Sequence, residues 1–199
     1  SLLENFKRRY PQVLPRVVVG TSRLTEDRVA ARDLDIGLIE IATEQSAIER
    51  RSAARDELLV ICAPDHALAK ATRLSARELI GHNFIDRDPG NAVRQLADEF
   101  FEAAGIAGSE ITLCAEIGSL AAVKQLAGAG LGFAIASRRA VQRDVREGRL
   151  VAIPLQPAVY TPLEVILPRD KFRSRLITTF ADHACEEFAR LAQETGEAG

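Results

Sequence analysis

The stretch from 119 to 137, which reads SLAAVKQLAGAGLGFAIAS, constrains the fold of this chain more than any other. Its first half has the apolar spacing of an amphipathic helix, with Leu120, Val123 and Leu126 on one face. Three glycines follow, and the continuously apolar run at 133–136 is typical of a buried strand. A helix that ends in glycine and leads at once into a buried strand is half of an α/β crossover, so we predict an α/β fold.

The rest of the chain alternates strands and helices in the same way. Helices are predicted at 2–10, 24–33, 74–80, 92–104 and 174–194. Strands are predicted at 16–20, 34–39, 83–87, 110–116, 149–155 and 160–168, with an antiparallel pair at 47–52 and 58–63 around a charged turn at 55–57. This order predicts mostly parallel sheets in two lobes. Lobe I is predicted at 1–66 and 157–199, and lobe II at 67–156.

Composition excludes several classes of function. The formal net charge of −2 and the pI of about 6.0 provide no broad positive field, so we expect no binding of DNA or RNA by this segment itself. No run approaches the roughly 20 apolar residues of a membrane span. The three cysteines, Cys62, Cys114 and Cys185, form no CxxC motif, so we predict buried reduced thiols and a cytoplasmic location.

The sequence also offers no convincing catalytic or metal-binding set. The three histidines lack the spacing of metal ligands, and no GxSxG elbow is present. The glycine run at 128–132 follows a helix and precedes a strand, which is the reverse of a dinucleotide-binding loop. We therefore predict that the chain is not an enzyme and carries no cofactor and no metal.

Two strand–helix junctions carry the residues best suited to bind a ligand. Thr21 and Ser22 form the first junction, and Gly118 and Ser119 form the second. Hydroxyls and free N–H groups at a helix N-terminus suit an anionic ligand, although capping of the helix is an equally good reason for Ser and Thr there. The turn before the helix at 92–104 adds a possible carboxylate, sulfate or phosphate clamp, Arg94, which could equally be a solvated helix residue.

Six segments in order carry a family resemblance. They are FKRRYPQV, LDIGLIE, DELLVICAPDHALA, NFIDRDPGNAVR, EIGSLAAVKQLAGAGLGFAIASRRAV and GRLVAIPL. The chain resembles the effector-binding domain of LysR-type transcriptional regulators, which has a type 2 periplasmic-binding-protein fold. The resemblance implies two Rossmann-like lobes with mixed sheets joined by two crossover strands. It also implies that the first strand of the fold and the DNA-binding winged helix-turn-helix domain are absent from this chain.

The resemblance further implies a sensor of a small anionic metabolite, bound in the cleft between the lobes. The effector-binding residues it implies are Thr21, Ser22, Asn91, Ala92, Arg94, Gly118 and Ser119, with Arg87 and Gly90 as weaker candidates. At Asn91 and Val93 the chain departs from a family pattern that has Ser or Thr. Arg87 could instead form a surface ion pair.

The expected partners follow from the same resemblance. It implies a homodimer or tetramer in which the first helix meets the helix at 119–128 of another copy. The interface residues would be Leu3, Phe6, Tyr10, Val123 and Leu126. DNA would be bound only through the absent N-terminal domain, and no membrane is expected. Two alternatives stay open: a stand-alone solute-binding protein of a transport system, and an enzyme on the same fold.

Overall fold

The computed structural model describes residues 2–41, 45–169 and 174–194, with side chains described as far as residue 190. The chain divides into two compact units. Unit 1 comprises residues 1–55 and 162–199, and unit 2 comprises residues 56–161. Each unit combines helices with strands. None of the described helices has both the length and the apolar character that a membrane crossing requires.

Thirteen helices and strands, apart from short 3-10 turns, make up the described chain. In chain order they are α1 (Leu2–Arg9), α2 (Ser22–Ala30), β1 (Gly37–Ile39), β2 (Ile48–Cys62), β3 (Leu74–Ser75), β4 (Asn83–Arg87), α3 (Ala92–Ala103), β5 (Thr112–Ile117), α4 (Leu120–Gly128), β6 (Ala134–Ser137), α5 (Arg138–Arg146), β7 (Val151–Pro168) and α6 (Arg175–Glu194). The long strands β2 and β7 contain the points at which the chain passes from one unit to the other.

Unit 1 buries apolar side chains on both faces of β7. β1 runs antiparallel to β7, with Gly37 opposite Ile166 and Ile39 opposite Glu164. Ile166 packs with residues of α2, β1 and β2 in one cluster. Its neighbours Val165 and Leu167 pack with α6 in another, because successive side chains of a strand point to opposite faces. The predicted helices at both ends of the chain are present in the described residues.

Unit 2 is built on a parallel pair and an antiparallel pair of strands. β4 runs parallel to β5, and β6 runs antiparallel to β2. Gly132 and Phe133 join the pairs, because the amide of Phe133 donates to the carbonyl of Asn83 at 2.9 Å. A Cβ at Gly132 would lie 2.2 Å from that same carbonyl oxygen. The approach of the two backbones therefore requires glycine at 132.

Several predicted elements are wrong, and the strand at 16–20 is one of them. Those residues form no strand, since no described strand pairs with them, and Val17 and Val19 are exposed. The predicted helix at 74–80 is also wrong: it is the two-residue strand β3 followed by a 3-10 turn. The polar helix α5 was not predicted, since Val141 is its one buried residue.

The strands predicted at 47–52 and 58–63, and those predicted at 149–155 and 160–168, are wrong as separate elements. The segments at 47–52 and 58–63 are one strand, β2, and the segments at 149–155 and 160–168 are one strand, β7. No turn forms at 55–57, because the carboxylate of Asp56 is buried and accepts the backbone N–H of Arg139 at 3.4 Å. Glu57 pairs with Arg138. Charges that indicated a turn are therefore satisfied inside a continuous strand.

Candidate functional site

The candidate site in unit 2 lies at the carboxyl ends of β4 and β5. These parallel strands end in register, with Arg87 opposite Ile117. α3 begins at Ala92, five residues after Arg87, with Asn91 as its cap. α4 begins at Leu120 with Ser119 as its cap. The N-termini of two helices therefore follow the same edge of one sheet, where their unpaired N–H groups can bind an anion.

The two cap residues of this edge differ in what their side chains do. Asn91 Oδ1 accepts the backbone N–H of Val93 at 3.0 Å, so the Asn91 side chain caps α3. The hydroxyl of Ser119 makes no such bond to α4. Ser119 is therefore the cap residue whose hydroxyl is not used in holding its own helix.

The loops before α3 and α4 contact each other. Arg87 Nη2 donates to the carbonyl oxygen of Gly118 at 3.1 Å. A Cβ at Gly118 would lie 3.6 Å from Cγ of Asp88, in ordinary van der Waals contact. Gly90 has a φ of +83° and forms the turn that leads into α3, a conformation that favours glycine. Ala92 is buried.

The guanidinium of Arg94 is already bound to the protein. Its Nη1 lies 2.5 Å from Glu116 Oε2 and donates to the carbonyl of Arg87 at 2.9 Å. Its Nε lies 3.4 Å from Asp86 Oδ2. Arg94 thus joins α3 to both β4 and β5, an arrangement that no local sequence pattern predicted. Burial raises the pKa of Asp86, while the backbone N–H of Arg87 and the charge of Arg94 oppose that rise.

The charges around this edge do not add up to a positive site. The two arginines at 87 and 94 face three carboxylates, Asp86, Asp88 and Glu116. None of these three carboxylates was among the candidate residues predicted from the sequence. For Asp86 a signal was available, because it lies two residues after the buried Phe84 and so on the same face of β4.

The candidate residues of unit 1 lie at the N-terminus of α2. Thr21 caps the helix, since its Oγ1 accepts the backbone N–H of Leu24 at 3.3 Å. Ser22 Oγ accepts two backbone N–H groups, from Glu40 at 3.2 Å and from Ile41 at 3.3 Å. Both acceptor positions of the Ser22 hydroxyl are thereby filled, and its O–H proton remains to be donated. No local sequence signal predicted the tie to the residues after β1.

The candidate residues thus fall into two groups. One edge of unit 2 carries seven of them: Arg87, Gly90, Asn91, Ala92, Arg94, Gly118 and Ser119. The N-terminus of α2 in unit 1 carries Thr21 and Ser22. Among the described residues, no group of three or more His, Cys, Asp or Glu side chains could hold a metal ion.

The residues expected at a dimer interface differ in exposure. Phe6 is buried in unit 1, where its ring packs against Phe180 with centroids 4.8 Å apart. Val123 is 0% exposed and belongs to the core of unit 2. Leu3, Tyr10 and Leu126 are half-buried and keep surface for a partner. The apolar faces of α1 and α4 are therefore used first inside their own units.

Comparison with known proteins identifies the family. The family model described as "LysR substrate binding domain" matches residues 1–189. A probable RuBisCO transcriptional regulator of Porphyra purpurea is 27% identical over 196 residues, which cover 96% of this chain and 62% of that protein. The chain thus spans about 60% of the length of such curated relatives.

Two solved structures share the fold. The regulatory domain of CcmR from Synechocystis PCC6803, in complex with 2-PG, superposes with a TM-score of 0.84 at 21% identity, covering 94% of this chain and 89% of that one. The effector-binding domain of QuiR in complex with shikimate gives a TM-score of 0.81 at 16% identity, covering 95% and 89%. These matches confirm the type 2 periplasmic-binding-protein-like fold. The match over residues 1–189 shows that this chain belongs to the LysR substrate-binding domain family, as an effector-binding domain of that family.

Proposed function

We propose that the chain senses a small anionic metabolite for a transcriptional regulator. Two sets of ligand contacts lie at helix N-termini: Asn91, Ala92, Gly118 and Ser119 in unit 2, and Thr21 and Ser22 in unit 1. Arg87 supplies a cation beside Gly118, and Gly90 shapes the turn. Arg94 acts by holding the β4–α3 loop, because two carboxylates already bind its guanidinium.

The observation that carries this proposal is the hydroxyl of Ser119. The side-chain oxygens of Thr21 and Asn91 accept backbone N–H groups and so cap α2 and α3. Ser119 occupies the equivalent position on α4 and does not. A helix without a side-chain cap is less stable by about 1 kcal/mol, and a bound ligand that accepts its free N–H groups can restore that stability.

The chemistry of Ser22 favours a ligand that presents an acceptor oxygen. Because its oxygen already accepts two backbone N–H groups, the Ser22 hydroxyl can only donate to a ligand. Carboxylate and phosphate oxygens are the strong acceptors that also suit helix N-termini. The ligands of the structural relatives, 2-PG for CcmR and shikimate for QuiR, support a small polar metabolite.

The regulatory setting rests on the relatives. They are transcriptional regulators and regulatory domains rather than enzymes, which favours a regulator over the alternative of a stand-alone solute-binding protein. We propose that the whole protein works in the cytoplasm as a homodimer or tetramer, and that a separate winged-helix domain contacts DNA. Leu3, Tyr10 and Leu126 are the proposed contacts between copies.

A matched pair of serine variants tests the site. Ser137 also caps a helix, α5 of unit 2, without a side-chain bond to it. We expect Ser119→Ala to weaken binding of 2-PG, shikimate or inorganic phosphate by about tenfold, the loss of one hydrogen bond to a charged group. Ser137→Ala should leave it unchanged. Isothermal titration calorimetry measures both, and equal affinities for the two variants would refute the proposed site.

The oligomeric state needs its own measurement. Native mass spectrometry of the purified chain should show a dimer, and Leu126→Lys should shift it toward monomer. Val123→Ala serves as a contrast, because the Val123 side chain lies in the core of unit 2 and should affect stability instead. A monomer at all concentrations would contradict the proposed assembly of this chain.

A further inference from the structure

A buried ion pair in unit 1 lies outside the candidate site. Glu26, on α2, is only 1% exposed, and its Oε1 accepts from Arg50 Nη1 at 2.8 Å. The same Nη1 lies 3.9 Å from Glu164 Oε2. A buried carboxylate is retained in a fold only where a cation compensates it. Arg50 therefore lies between a carboxylate of α2 and one of β7, while it is itself part of β2.

The placement of this pair relates the N-terminus of α2 to both long strands. Glu26 follows Ser22 by one helical turn, so the two side chains lie on the same face of α2. Ser22 in turn accepts from the amides that follow β1. Arg50 and Glu164 lie on β2 and β7, a few residues before and after the two points where the chain passes between units.

The neighbouring arginine shows that this connection is specific to one face of β2. Arg51 donates to Glu49 at 2.9 Å and to Asp182 of α6 at 2.6 Å. Adjacent residues of a strand point to opposite faces, so Arg50 faces α2 and Arg51 faces α6. Arg50 and Arg51 carry the same charge, lie on the same strand and are exposed to a comparable extent, so Arg51 is a matched control for Arg50.

We propose that Arg50 is a positioning residue that couples ligand binding at Thr21 and Ser22 to the long strands β2 and β7. This rests on the proposed function, which places ligand contacts at the N-terminus of α2. A ligand that accepts a hydrogen bond from the Ser22 hydroxyl shifts α2. The directional Glu26–Arg50 hydrogen bond carries that shift to β2, and the charge contact of Arg50 with Glu164 extends it to β7. Packing of Val29 against Ile48 and Ile166 is non-directional and transmits it less.

Hydrogen exchange measured by mass spectrometry, with inorganic phosphate and 2-PG as probes, separates the two proposals. In the wild type, the probe should protect amides at 21–25 and 39–41, and also amides of β2 and β7 around 53–57 and 160–164. In Arg50→Met we expect the first protection to remain and the second to be lost. In Arg51→Met both should remain, although that variant also loses an ion pair.

Outcomes of this experiment are distinct. Remote protection that persists in Arg50→Met would overturn the role of Arg50 and leave the ligand site intact. No protection at 21–25 with either probe in the wild type would overturn the unit 1 site and, with it, this coupling. Because Arg50→Met removes a cation that pairs with the buried Glu26, Glu26→Gln combined with Arg50→Met provides a variant in which that carboxylate charge is removed too. The combined variant should show the same loss of remote protection.

Discussion

Replacement of Arg94 by Met tests whether this arginine holds unit 2 together. The variant loses the contacts to Glu116 at 2.5 Å, to the Arg87 carbonyl at 2.9 Å and to Asp86 at 3.4 Å. Removing one partner of a fully buried pair costs about 3–5 kcal/mol. Here Arg94 is 24% exposed and Glu116 is 44% exposed, so solvent screening reduces the Glu116 contribution to below about 1 kcal/mol. We expect a total loss of about 2–3 kcal/mol.

The loss should depend on pH in a defined direction. Burial raises the folded-state pKa of Asp86 above its ordinary value of 3.8. A carboxyl with a raised folded pKa contributes stability at pH below 3.8, and that contribution disappears as the pH rises through the folded pKa. The charge of Arg94 limits this rise, so Arg94→Met should raise the pKa of Asp86 further. The variant should therefore lose more stability at neutral pH than near pH 4.

Urea denaturation followed by circular dichroism measures the free energy of unfolding at both pH values. Arg143→Met is the control, because Arg143 forms an exposed pair with Glu147 one helical turn away. It should change stability little at either pH. An Arg94→Met variant that is as stable as Arg143→Met at neutral pH would refute the argument that Arg94 is committed to the fold. It would return Arg94 to the set of ligand contacts.

Three further predictions concern stability. Thr21→Ala should lower the free energy of unfolding by about 0.5–2 kcal/mol, because the helix loses its cap, whereas Ser119→Ala should leave that free energy nearly unchanged. Equal losses of the two variants in urea denaturation would contradict this contrast. Gly132→Ala should lower the free energy of unfolding by about 1–3 kcal/mol through overpacking, because its Cβ would lie 2.2 Å from a backbone oxygen. Gly108→Ala is the control, since a Cβ there would have no atom within 4 Å. Similar thermal midpoints of the two variants would argue against this close approach. Burial lowers the pKa of His66 below 6.5, and the neighbouring His82 lowers it further. The contribution of His66 to stability is therefore complete above pH 6.5 and is lost as the pH falls through the folded-state pKa. His66→Asn should flatten that part of the curve of stability against pH, and an unchanged slope would contradict this prediction.

The sequence predicted most accurately those elements whose signals are local. The helix at 120–128 has an apolar face and ends in glycine, and the structure contains it as α4. α3 has the same kind of face and the cap residue Asn91, which bonds as a cap should. Such elements can be predicted because amphipathic periodicity and capping are properties of neighbouring residues.

Elements that depend on distant partners were predicted less well. The valines at 17–19 have strand propensity, yet a strand exists only where a second strand accepts its hydrogen bonds. The charges at 55–57 indicate a turn in isolation, but Arg138 and Arg139 pair with two of them from far along the chain. Neither outcome can be read from a window of neighbouring residues.

The same division applies to the candidate site. The sequence by itself determined the α/β class, the family through its six ordered segments, and the residue types at the helix N-termini. Only the tertiary structure decided what those side chains do: Arg94 is bound by Asp86 and Glu116, and the Ser22 oxygen is filled by two amides. The physical reason is that a side chain's availability depends on which distant groups already satisfy its charge and hydrogen bonds, and folding brings those groups together.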